Sequence, residues 1–250
     1  MRLRVVTMKS ETNVGDEIEQ KEGGWEFSDD VADQFDQHVS QSIPDYVKVQ
    51  DHVAKIADWF LSDSERETVY DLGCATGTTI QRLIETRDGS GTTRYVGIDE
   101  ARPMLKKAED KLGNYDTVRL VEENLTLDPQ FPNASLIISL FTLSFVDEQD
   151  RRELIQAAYR DLDSGGALVF VEKTYPEYAR FQAMFREHYF DYKQQHFSAD
   201  EVLGKAKSLR GQLRPLSQDE YTAMLEDAGF DNIEPFYQHY MWWGVIARKE

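Results

Sequence analysis

The residues of this chain with the clearest chemical potential lie in the segment 67–77, Glu-Thr-Val-Tyr-Asp-Leu-Gly-Cys-Ala-Thr-Gly. Asp71 lies in a short, apolar, β-branched run, and Gly73 and Gly77 frame a turn that precedes a segment with helical spacing. Glycines let backbone N–H groups approach a ligand closely, and a helix start offers N–H groups that lack intrahelical partners. The segment therefore predicts a nucleotide-cofactor site at a strand–turn–helix junction.

A second acidic residue follows the next apolar run along the chain. Residues 95–98, Tyr-Val-Gly-Ile, are typical of a strand, and Asp99 stands at its carboxyl end. In a doubly wound sheet, a carboxylate at the end of the second strand accepts hydrogen bonds from both ribose hydroxyls of a nucleotide. Either piece alone is also explained as a plain turn or a helix N-cap. The two together, in this order, favour a site that holds a nucleotide ribose.

The turn differs from the dinucleotide-binding fingerprint. A dinucleotide enzyme is expected to carry G-x-G-x-x-G, whereas this chain has Gly73-x-Ala75-x-Gly77 after Asp71. The pattern D-x-G-x-A-x-G resembles motif I of the class I S-adenosylmethionine (SAM) methyltransferases. The resemblance implies an α/β, Rossmann-like class I methyltransferase fold with a seven-stranded, mostly parallel sheet, and it implies SAM as the cofactor.

The elements around this turn alternate between strand and helix, which indicates a parallel sheet. Apolar spacing predicts strands over 68–72, 94–98, 117–121, 135–141 and 167–172, and helices over 78–86, 102–112 and 148–161. Gly165-Gly166 is interpreted as the turn before the fifth strand. A further helix over 217–229 and two final strands, 231–238 and 240–248, complete the sheet, and we expect the last strand to run antiparallel.

Two additions flank this core. Residues 1–24 are polar and without period, so we predict a largely disordered tail before a SAM-binding domain over 25–250. Residues 25–62 carry apolar residues at helical spacing on either side of a break at Ile43-Pro44-Asp45-Tyr46, which predicts a helical cap. Residues 175–214 form an aromatic-rich helical insertion, for which we predict a lid over the acceptor pocket and a homodimer contact.

The composition limits the partners. The chain has 250 residues and a net charge of −18, from 46 acidic and 28 basic residues. Such a charge opposes binding to a phosphate backbone, so we expect a small-molecule substrate and no direct nucleic-acid contact. The acidic excess is also explained by adaptation to high salt. The one basic cluster, formed by Lys205, Lys207, Arg210 and Arg214, is either a solvated helix face or a grip on an anionic substrate or partner subunit.

Other classes of protein are disfavoured by particular residue types. Apolar runs are too short for a membrane span and the N-terminus lacks a signal-peptide core, so we expect a cytoplasmic protein without membrane contact. Cys74 is the single cysteine, and its position in the turn indicates a small buried side chain rather than a nucleophile. The five histidines show no paired helical spacing of a zinc site, so we predict no metal.

A closer resemblance extends over roughly residues 24–248. The segments Trp25-x-Phe27, Ser42–Tyr46, Phe141-Thr-Leu-x-Phe145, Glu172-Lys173 and Ala228-Gly-Phe230 are similar to those of the carboxy-S-adenosylmethionine synthase family. That family shares the class I fold and converts SAM and prephenate to carboxy-SAM, which is later used to modify a wobble uridine of tRNA. The resemblance implies that Tyr46 closes over the cofactor, that Asp99 holds the ribose, and that Asn124-Leu125 flank the adenine.

The chain departs from the family pattern at three places. Glu123-Asn124 replaces the usual Gly-Asp, and Leu140 stands where the family has Asn. More important, Ala206 occupies the position of the Arg that pairs with the added carboxylate of carboxy-SAM. Alanine does not replace a bidentate guanidinium–carboxylate pair. Arg210 or Arg214, from a later turn, are the available substitutes.

These observations favour a SAM-dependent methyltransferase acting on a small-molecule acceptor. The alternatives are a carboxy-SAM synthase linked to tRNA wobble-uridine modification and a non-catalytic partner protein with a SAM-binding fold. Methyl transfer needs an acceptor aligned behind the methyl group and, where the acceptor's pKa demands it, a base. The candidate bases are Tyr46, His38 and Tyr189. The candidate cofactor-binding residues are Tyr46, Asp71, Gly73, Ala75, Gly77, Asp99, Glu100, Asn124, Leu125 and Leu140.

Overall fold

A computed structural model of the chain describes residues 12–13, 19–20, 26–62, 67–87 and 92–250. The strands are Thr12–Asn13 (β1), Glu19–Gln20 (β2), Thr68–Leu72 (β3), Arg94–Asp99 (β4), Val118–Glu122 (β5), Ala134–Leu140 (β6), Leu162–Lys173 (β7), Asn232–His239 (β8) and Trp242–Arg248 (β9). The helices are Asp29–Ser42 (α1), Tyr46–Ala57 (α2), Thr78–Thr86 (α3), Arg102–Leu112 (α4), Glu148–Asp161 (α5), Ala179–Lys193 (α6), Ala199–Ser208 (α7) and Gln218–Ala228 (α8), with a 3-10 turn at Leu143–Phe145.

Seven of the described strands form one twisted sheet in the order β5-β4-β3-β6-β7-β9-β8. The first five of these strands pair in parallel, and β9 runs antiparallel to both β7 and β8. This is the seven-stranded, mostly parallel sheet that the sequence predicts, including its antiparallel last strand. Because β3 is central and its neighbours run parallel to it, the loops after β3, β4 and β6 meet at one edge of the sheet.

Helices cover both faces of the sheet and give a three-layer core. Successive residues of β7 alternate between the layers: Leu168 and Phe170 pack with α5 and α8, whereas Val169 and Val171 pack with α2, α3 and α4. Strands that are buried on both faces read as continuous apolar runs, which is why β3, β6 and β7 are recognisable in the sequence.

The start of β7 differs from the sequence interpretation. Gly165-Gly166 does not form a turn before the strand, because the strand already begins at Leu162 and both glycines lie within it. Gly165 has a φ of +87°, and the register with β6 shifts between Ala134 and Leu136. A bulge therefore interrupts this ladder without ending the strand.

The two N-terminal helices are joined through a left-handed residue. Asp45 has a φ of +56°, which breaks the chain between α1 and α2 at the predicted position. Its carboxylate pairs with His239 (Oδ2–Nδ1 2.9 Å) and with Lys48 (Oδ1–Nζ 2.8 Å), and Tyr237 donates a hydrogen bond to the Pro44 carbonyl. The break is thereby held against β8.

The insertion consists of two helices, α6 and α7, with a break at residues 194–198. Its two ends lie side by side: Thr174 and Leu216 form a parallel bridge, and the Tyr175 N–H donates to the Leu216 carbonyl (N–O 3.1 Å). The chain therefore leaves the sheet after β7 and returns to nearly the same place before α8.

The predicted tail 1–24 falls almost entirely outside the described residues. Within it, the structure describes Thr12–Asn13 and Glu19–Gln20, which pair as short antiparallel strands. In the described part of the chain, no helix is both long and apolar enough to cross a membrane.

Candidate active site

A cavity of about 820 Å³ opens at the carboxyl ends of the parallel strands. Its floor is formed by the loops after β3, β4, β5 and β6, and its walls by α1, α2, α6 and α7. Most of the residues expected from the sequence to bind a cofactor or act as a base line this one space: His38, Tyr46, Asp71, Gly73, Ala75, Asp99, Glu100, Asn124, Leu125, Leu140 and Tyr189. Gly77 is the exception.

Gly77 supports the turn from behind. It is the N-cap of α3 with a φ of +78°, and a Cβ at this position would lie 2.6 Å from Leu112 Cδ1. Glycine is thus required by the left-handed backbone and by the approach of α4, not by contact with the cavity. Gly73, in contrast, lines the cavity, where any side chain would overlap Thr142.

Asp99 joins the ends of β3 and β4. Its Oδ2 accepts a hydrogen bond from the Ala75 N–H (2.9 Å), and its Oδ1 accepts one from the Ala101 N–H (2.8 Å). Burial raises the pKa of this carboxyl, while the two backbone donors oppose that rise. Each oxygen keeps a further lone pair, so the carboxylate can accept two more hydrogen bonds from a ligand diol.

Asp71 is a buried acid beside Asp99. Its side chain is 2% exposed, and burial together with the charge of Asp99 raises its pKa to about 7. Among the described residues, no group donates a hydrogen bond to its Oδ2. An orphaned buried carboxylate oxygen is costly, and a cationic or N–H-bearing ligand would satisfy it.

The loop after β5 carries a small polar network. Asn124 accepts hydrogen bonds at Oδ1 from the backbone and hydroxyl of Thr126 (2.8 and 2.7 Å), and its Nδ2 donates to Glu100 (2.8 Å). The amide is therefore fixed in orientation. Leu125 and Leu140 also line the cavity and add apolar surface, which suits a flat heterocycle.

Helix α1 is tied to the glycine turn by a lysine-centred cluster. Lys111 donates to Asp36 (2.5 Å), Thr76 (2.9 Å) and Thr78 (2.8 Å), and the Thr76 hydroxyl donates to Asp36 (2.5 Å). These bonds hold the N-terminal helices over the start of α3, which explains how residues distant in sequence share one wall.

Of the three candidate bases, the two tyrosines are poor proton acceptors. Burial raises the pKa of Tyr46 and of Tyr189, so both phenols stay protonated at neutral pH. The Tyr189 hydroxyl donates to the Ser42 carbonyl (2.9 Å), which fixes the ring against α1. Both rings therefore serve as aromatic walls.

His38 is a neutral imidazole. It is 4% exposed, and burial, then the charges of Lys205 and Lys193, lower its pKa to about 3. Ser42 Oγ lies 3.4 Å from its Nε2. The ring can accept a hydrogen bond from a ligand, but with so low a pKa it is a weak base.

The 3-10 turn after β6 completes the wall and is held by Glu172, near the carboxyl end of β7. Glu172 accepts hydrogen bonds from the Leu143 N–H (2.6 Å), the Ser144 N–H (3.2 Å) and the Ser144 hydroxyl (2.6 Å). Burial raises the pKa of Glu172 to about 7, although the hydrogen bonds from Ser144 and Leu143 act to lower it. The carboxylate is fully used in shaping the 3-10 turn, so we assign it a positioning role.

Two lysines at the cavity were not singled out by their sequence pattern as binding groups. Lys173 ends β7, inside a segment recognised for its family likeness, and Lys193 ends α6 between aromatic residues. Both line the cavity together with Lys205 of the predicted basic cluster. Lys207 of that cluster is exposed and does not line the cavity. Lys207 therefore fits a solvated helix face, whereas Lys205 has the position expected of a group that binds an anionic substrate.

Ala206 lines the cavity, so the missing guanidinium would have pointed into it. Of the two possible substitutes, Arg214 is ion-paired with Asp147 and donates to the Gly211 carbonyl (3.1 Å), and it does not line the cavity. Arg210 lines the cavity and is the nearer candidate.

Comparison with known proteins identifies the family. Residues 69–166 match the family described as methyltransferase domain. The chain is 32% identical to a carboxy-S-adenosyl-L-methionine synthase of Staphylococcus epidermidis, over 90% of this chain and 97% of the relative. It is 33% identical to the synthase of Methylococcus capsulatus, over 89% of this chain and 93% of the relative. The chain belongs to the carboxy-S-adenosyl-L-methionine synthase family. Its members are SAM-dependent transferases, and this protein is an enzyme of that kind.

Solved structures agree on the fold of this synthase-family protein. Human N-acetylserotonin methyltransferase in complex with SAM matches with a TM-score of 0.60 at 17% identity, over 89% of this chain and 56% of that chain. A SAM-dependent methyltransferase from Aquifex aeolicus matches with a TM-score of 0.56 at 18% identity, over 89% and 98%. The class I, Rossmann-like methyltransferase fold expected from the glycine turn is confirmed.

The buried state of His38 gives a testable titration. Because its pKa falls from 6.5 to about 3, the ring stays neutral in the fold while the unfolded chain binds a proton below pH 6.5. The stability that the neutral His38 ring contributes is fully present above pH 6.5. It is lost as the pH falls towards 3, and the free energy of unfolding decreases by about 1.4 kcal/mol per pH unit within that window. We expect the His38 imidazole resonances in NMR to stay unchanged between pH 5 and 8.

The variant His38→Gln serves to assign these resonances and as the control for stability. It should flatten the fall of the unfolding free energy between pH 6.5 and pH 4.5 relative to wild type. A His38 resonance that titrates near pH 6.5 would show that the ring is open to solvent.

Proposed function

We propose that this protein transfers the methyl group of SAM to a small-molecule acceptor. The observation that carries the proposal is Ala206 at the cavity wall, where the family's carboxylate-pairing arginine is expected. Without that guanidinium, the cavity loses the bidentate contact that would favour carboxy-SAM over SAM. The same change leaves space beside the cofactor for an acceptor.

The residues present fit SAM. Asp99 would accept hydrogen bonds from the ribose hydroxyls, and Asp71 would receive the ammonium of the methionine part on its unsatisfied Oδ2. Leu125 and Leu140 would contact the adenine, with Asn124 at its edge. When bound, SAM supplies an electrophilic methyl group on a sulfonium.

The chain's own residues orient the reactants and exclude water. Tyr46 packs against Phe141 (centroids 5.5 Å), and Phe141 packs edge-on against Trp242 (5.4 Å), so an aromatic wall faces the cavity. Aromatic faces favour a positively charged sulfonium. Because Tyr46, Tyr189 and His38 are all poor proton acceptors here, the site suits an acceptor that is already nucleophilic at neutral pH.

The ribose assignment predicts a large effect of Asp99→Ala. The change deletes two hydrogen bonds to a charged acceptor, each worth on the order of 1.5–3 kcal/mol, and tenfold corresponds to about 1.4 kcal/mol. We expect calorimetry to show SAM affinity at least tenfold weaker. Asp116→Ala, at an exposed loop acid, is the matched control and should bind as wild type. Unchanged affinity in Asp99→Ala would remove the assignment.

A second candidate function is carboxy-SAM synthesis. It is supported by the names of the relatives and by Arg210, which lines the cavity in the turn just after α7, four residues after Ala206. In this case Arg210 would take the part of the absent arginine.

Competition between SAM and carboxy-SAM for the ligand-free protein separates the two candidates. We expect wild type to prefer SAM, and Ala206→Arg to shift the preference towards carboxy-SAM by about tenfold, because a charge-assisted pair is restored. Arg214→Ala is the control outside the cavity. A wild-type preference for carboxy-SAM that Arg210→Ala abolishes would establish the second candidate instead. The mass of the nucleoside that copurifies is an independent check.

We further propose that the insertion, residues 175–214, is a lid over the acceptor and carries a homodimer contact. The outer side of its first part exposes Tyr178 (70%), Phe181 (47%) and Met184 (42%) at helical spacing. Exposed aromatic and methionine side chains in one row are typical of interface cores. A second copy of the chain is the occupant this proposal assigns to the row.

Light scattering tests the dimer contact directly. We expect the mass of two 28.9 kDa chains for wild type and a shift towards one chain for Phe181→Glu. Trp59→Glu, at a side chain that is 89% exposed outside the insertion, is the control and should leave the mass unchanged. A monomer mass for wild type at every concentration would contradict the proposal.

A further inference from the structure

Two ammonium groups face the same aromatic ring at the cavity. Lys173 Nζ lies 4.9 Å from the centroid of the Tyr189 ring, and Lys193 Nζ lies 5.7 Å from it. Lys193 also lies 5.7 Å from the Phe197 ring, and its side chain is almost fully buried. The lysines come from β7 and α6, so the fold of the insertion brings them together.

Neither lysine has an acidic partner in the described part of the chain. Among the described residues, none forms an ion pair or hydrogen bond with Lys173 Nζ or Lys193 Nζ, and the contacts of these two ammonium groups are with aromatic rings. Glu172, next in sequence to Lys173, is turned to the opposite side of the strand and is occupied by Leu143 and Ser144. An unpaired buried ammonium is costly, so its presence at a cavity calls for a functional reason.

The electrostatics of the cavity agree with this geometry. Burial lowers the pKa of Lys173 to about 8, and burial with the charge of Lys173 lowers the pKa of Lys193 to about 8. Both groups are still largely protonated at neutral pH. Burial, then the charge of Lys193, lowers the pKa of the third lysine, Lys205, well below its usual value. Burial and the charge of a neighbouring lysine are thus the causes of these lowered pKa values, whereas Asp71 and Asp99 line the floor of the same cavity.

We propose that Lys173 and Lys193 form an anion subsite that binds a carboxylate or phosphate group of the acceptor. The inference rests on the proposed methyl transfer and specifies its substrate class, an anionic small molecule. Ammonium groups give charge-assisted hydrogen bonds to such a group, and the contact of both with the Tyr189 ring keeps them near each other. The two lysines supply the positive charge that selects an anionic acceptor, a charge that Ala206 does not supply.

The probe for the subsite is 4-fluorobenzoate, with 4-fluorobenzamide as its neutral isostere. Binding is followed by fluorine NMR on the full chain loaded with S-adenosylhomocysteine. We expect wild type to bind the benzoate at least tenfold more tightly than the benzamide. Lys173→Met and Lys193→Met should each lose most of this preference. Lys207→Met, at an exposed lysine outside the cavity, should keep it.

Thermal unfolding separates binding from a structural role. Because each Met variant removes an unpaired charge that is buried at Lys193 and half-buried at Lys173, we expect its melting temperature to equal or exceed that of wild type. Lys193→Gln provides a second variant with a smaller change in polarity. Variants that melt lower and keep the benzoate preference would overturn the proposal, as would equal binding of benzoate and benzamide to wild type.

Two further measurements, of carboxy-SAM binding and of SAM binding, identify the source of the anionic group. If the lysine variants weaken carboxy-SAM binding and leave 4-fluorobenzoate binding unchanged, the group belongs to the cofactor and the acceptor subsite is overturned. A SAM titration without benzoate tests the proposed function separately, and an absence of SAM binding would contradict that function. A protein that binds benzoate through the lysines but does not bind SAM would retain the subsite and lose the proposed function.

Discussion

The arrangement of the site depends on one half-buried carboxylate, that of Asp99. By accepting the N–H groups of Ala75 and Ala101, it joins the turn after β3 to the turn after β4. Parallel strands alone bring these turns to the same edge of the sheet, but they do not set the distance between them. The carboxylate does so with hydrogen bonds to a charged acceptor, which are stronger than those between neutral groups. Because the acid is half-buried, salt screens this constraint less than it would screen one between exposed groups.

The cavity combines two environments from different parts of the chain. The sheet edge contributes acids, Asp71 and Asp99, which suit the hydroxyl and ammonium groups of a nucleoside amino acid. The end of β7 and the insertion contribute Lys173, Lys193 and Lys205. A ligand pair with a cationic centre and an anionic group would find each charge opposite its complement. This division also explains why the sheet side resembles the methyltransferases in general, whereas the insertion side departs from the family pattern at Ala206.

The sheet and its first helices could be predicted closely from the sequence. The bounds of β3, α3, α4 and α5 agree with the apolar spacing to the residue, because these elements are buried on regular faces. Gly165-Gly166 misled the interpretation, since glycine marks a bulge as readily as a turn. Asp71, Gly73 and Asp99 lie at the cavity as expected, whereas Gly77 packs behind it.

The insertion side was less accessible to sequence reasoning. A lysine such as Lys193, between aromatic residues at a helix end, has the pattern of a side chain that extends to solvent. Its burial depends on how α6 and α7 close over the strands, a long-range packing that apolar spacing does not encode. Likewise, the pairing of Arg214 with Asp147 joins distant segments, and it decides between two arginines that look equivalent in the sequence.

The adjacency of Thr174 and Leu216 has an evolutionary consequence. Because the insertion departs from and rejoins the sheet at one bridge, its closure is already provided by the rest of the fold. A segment with fixed, neighbouring ends can change in length and composition at a small entropic cost. Descendants of one ancestral enzyme can therefore acquire new acceptors through changes in the insertion alone, while the sheet edge continues to bind the same nucleoside. Divergence in this family would then accumulate in one contiguous block of the chain.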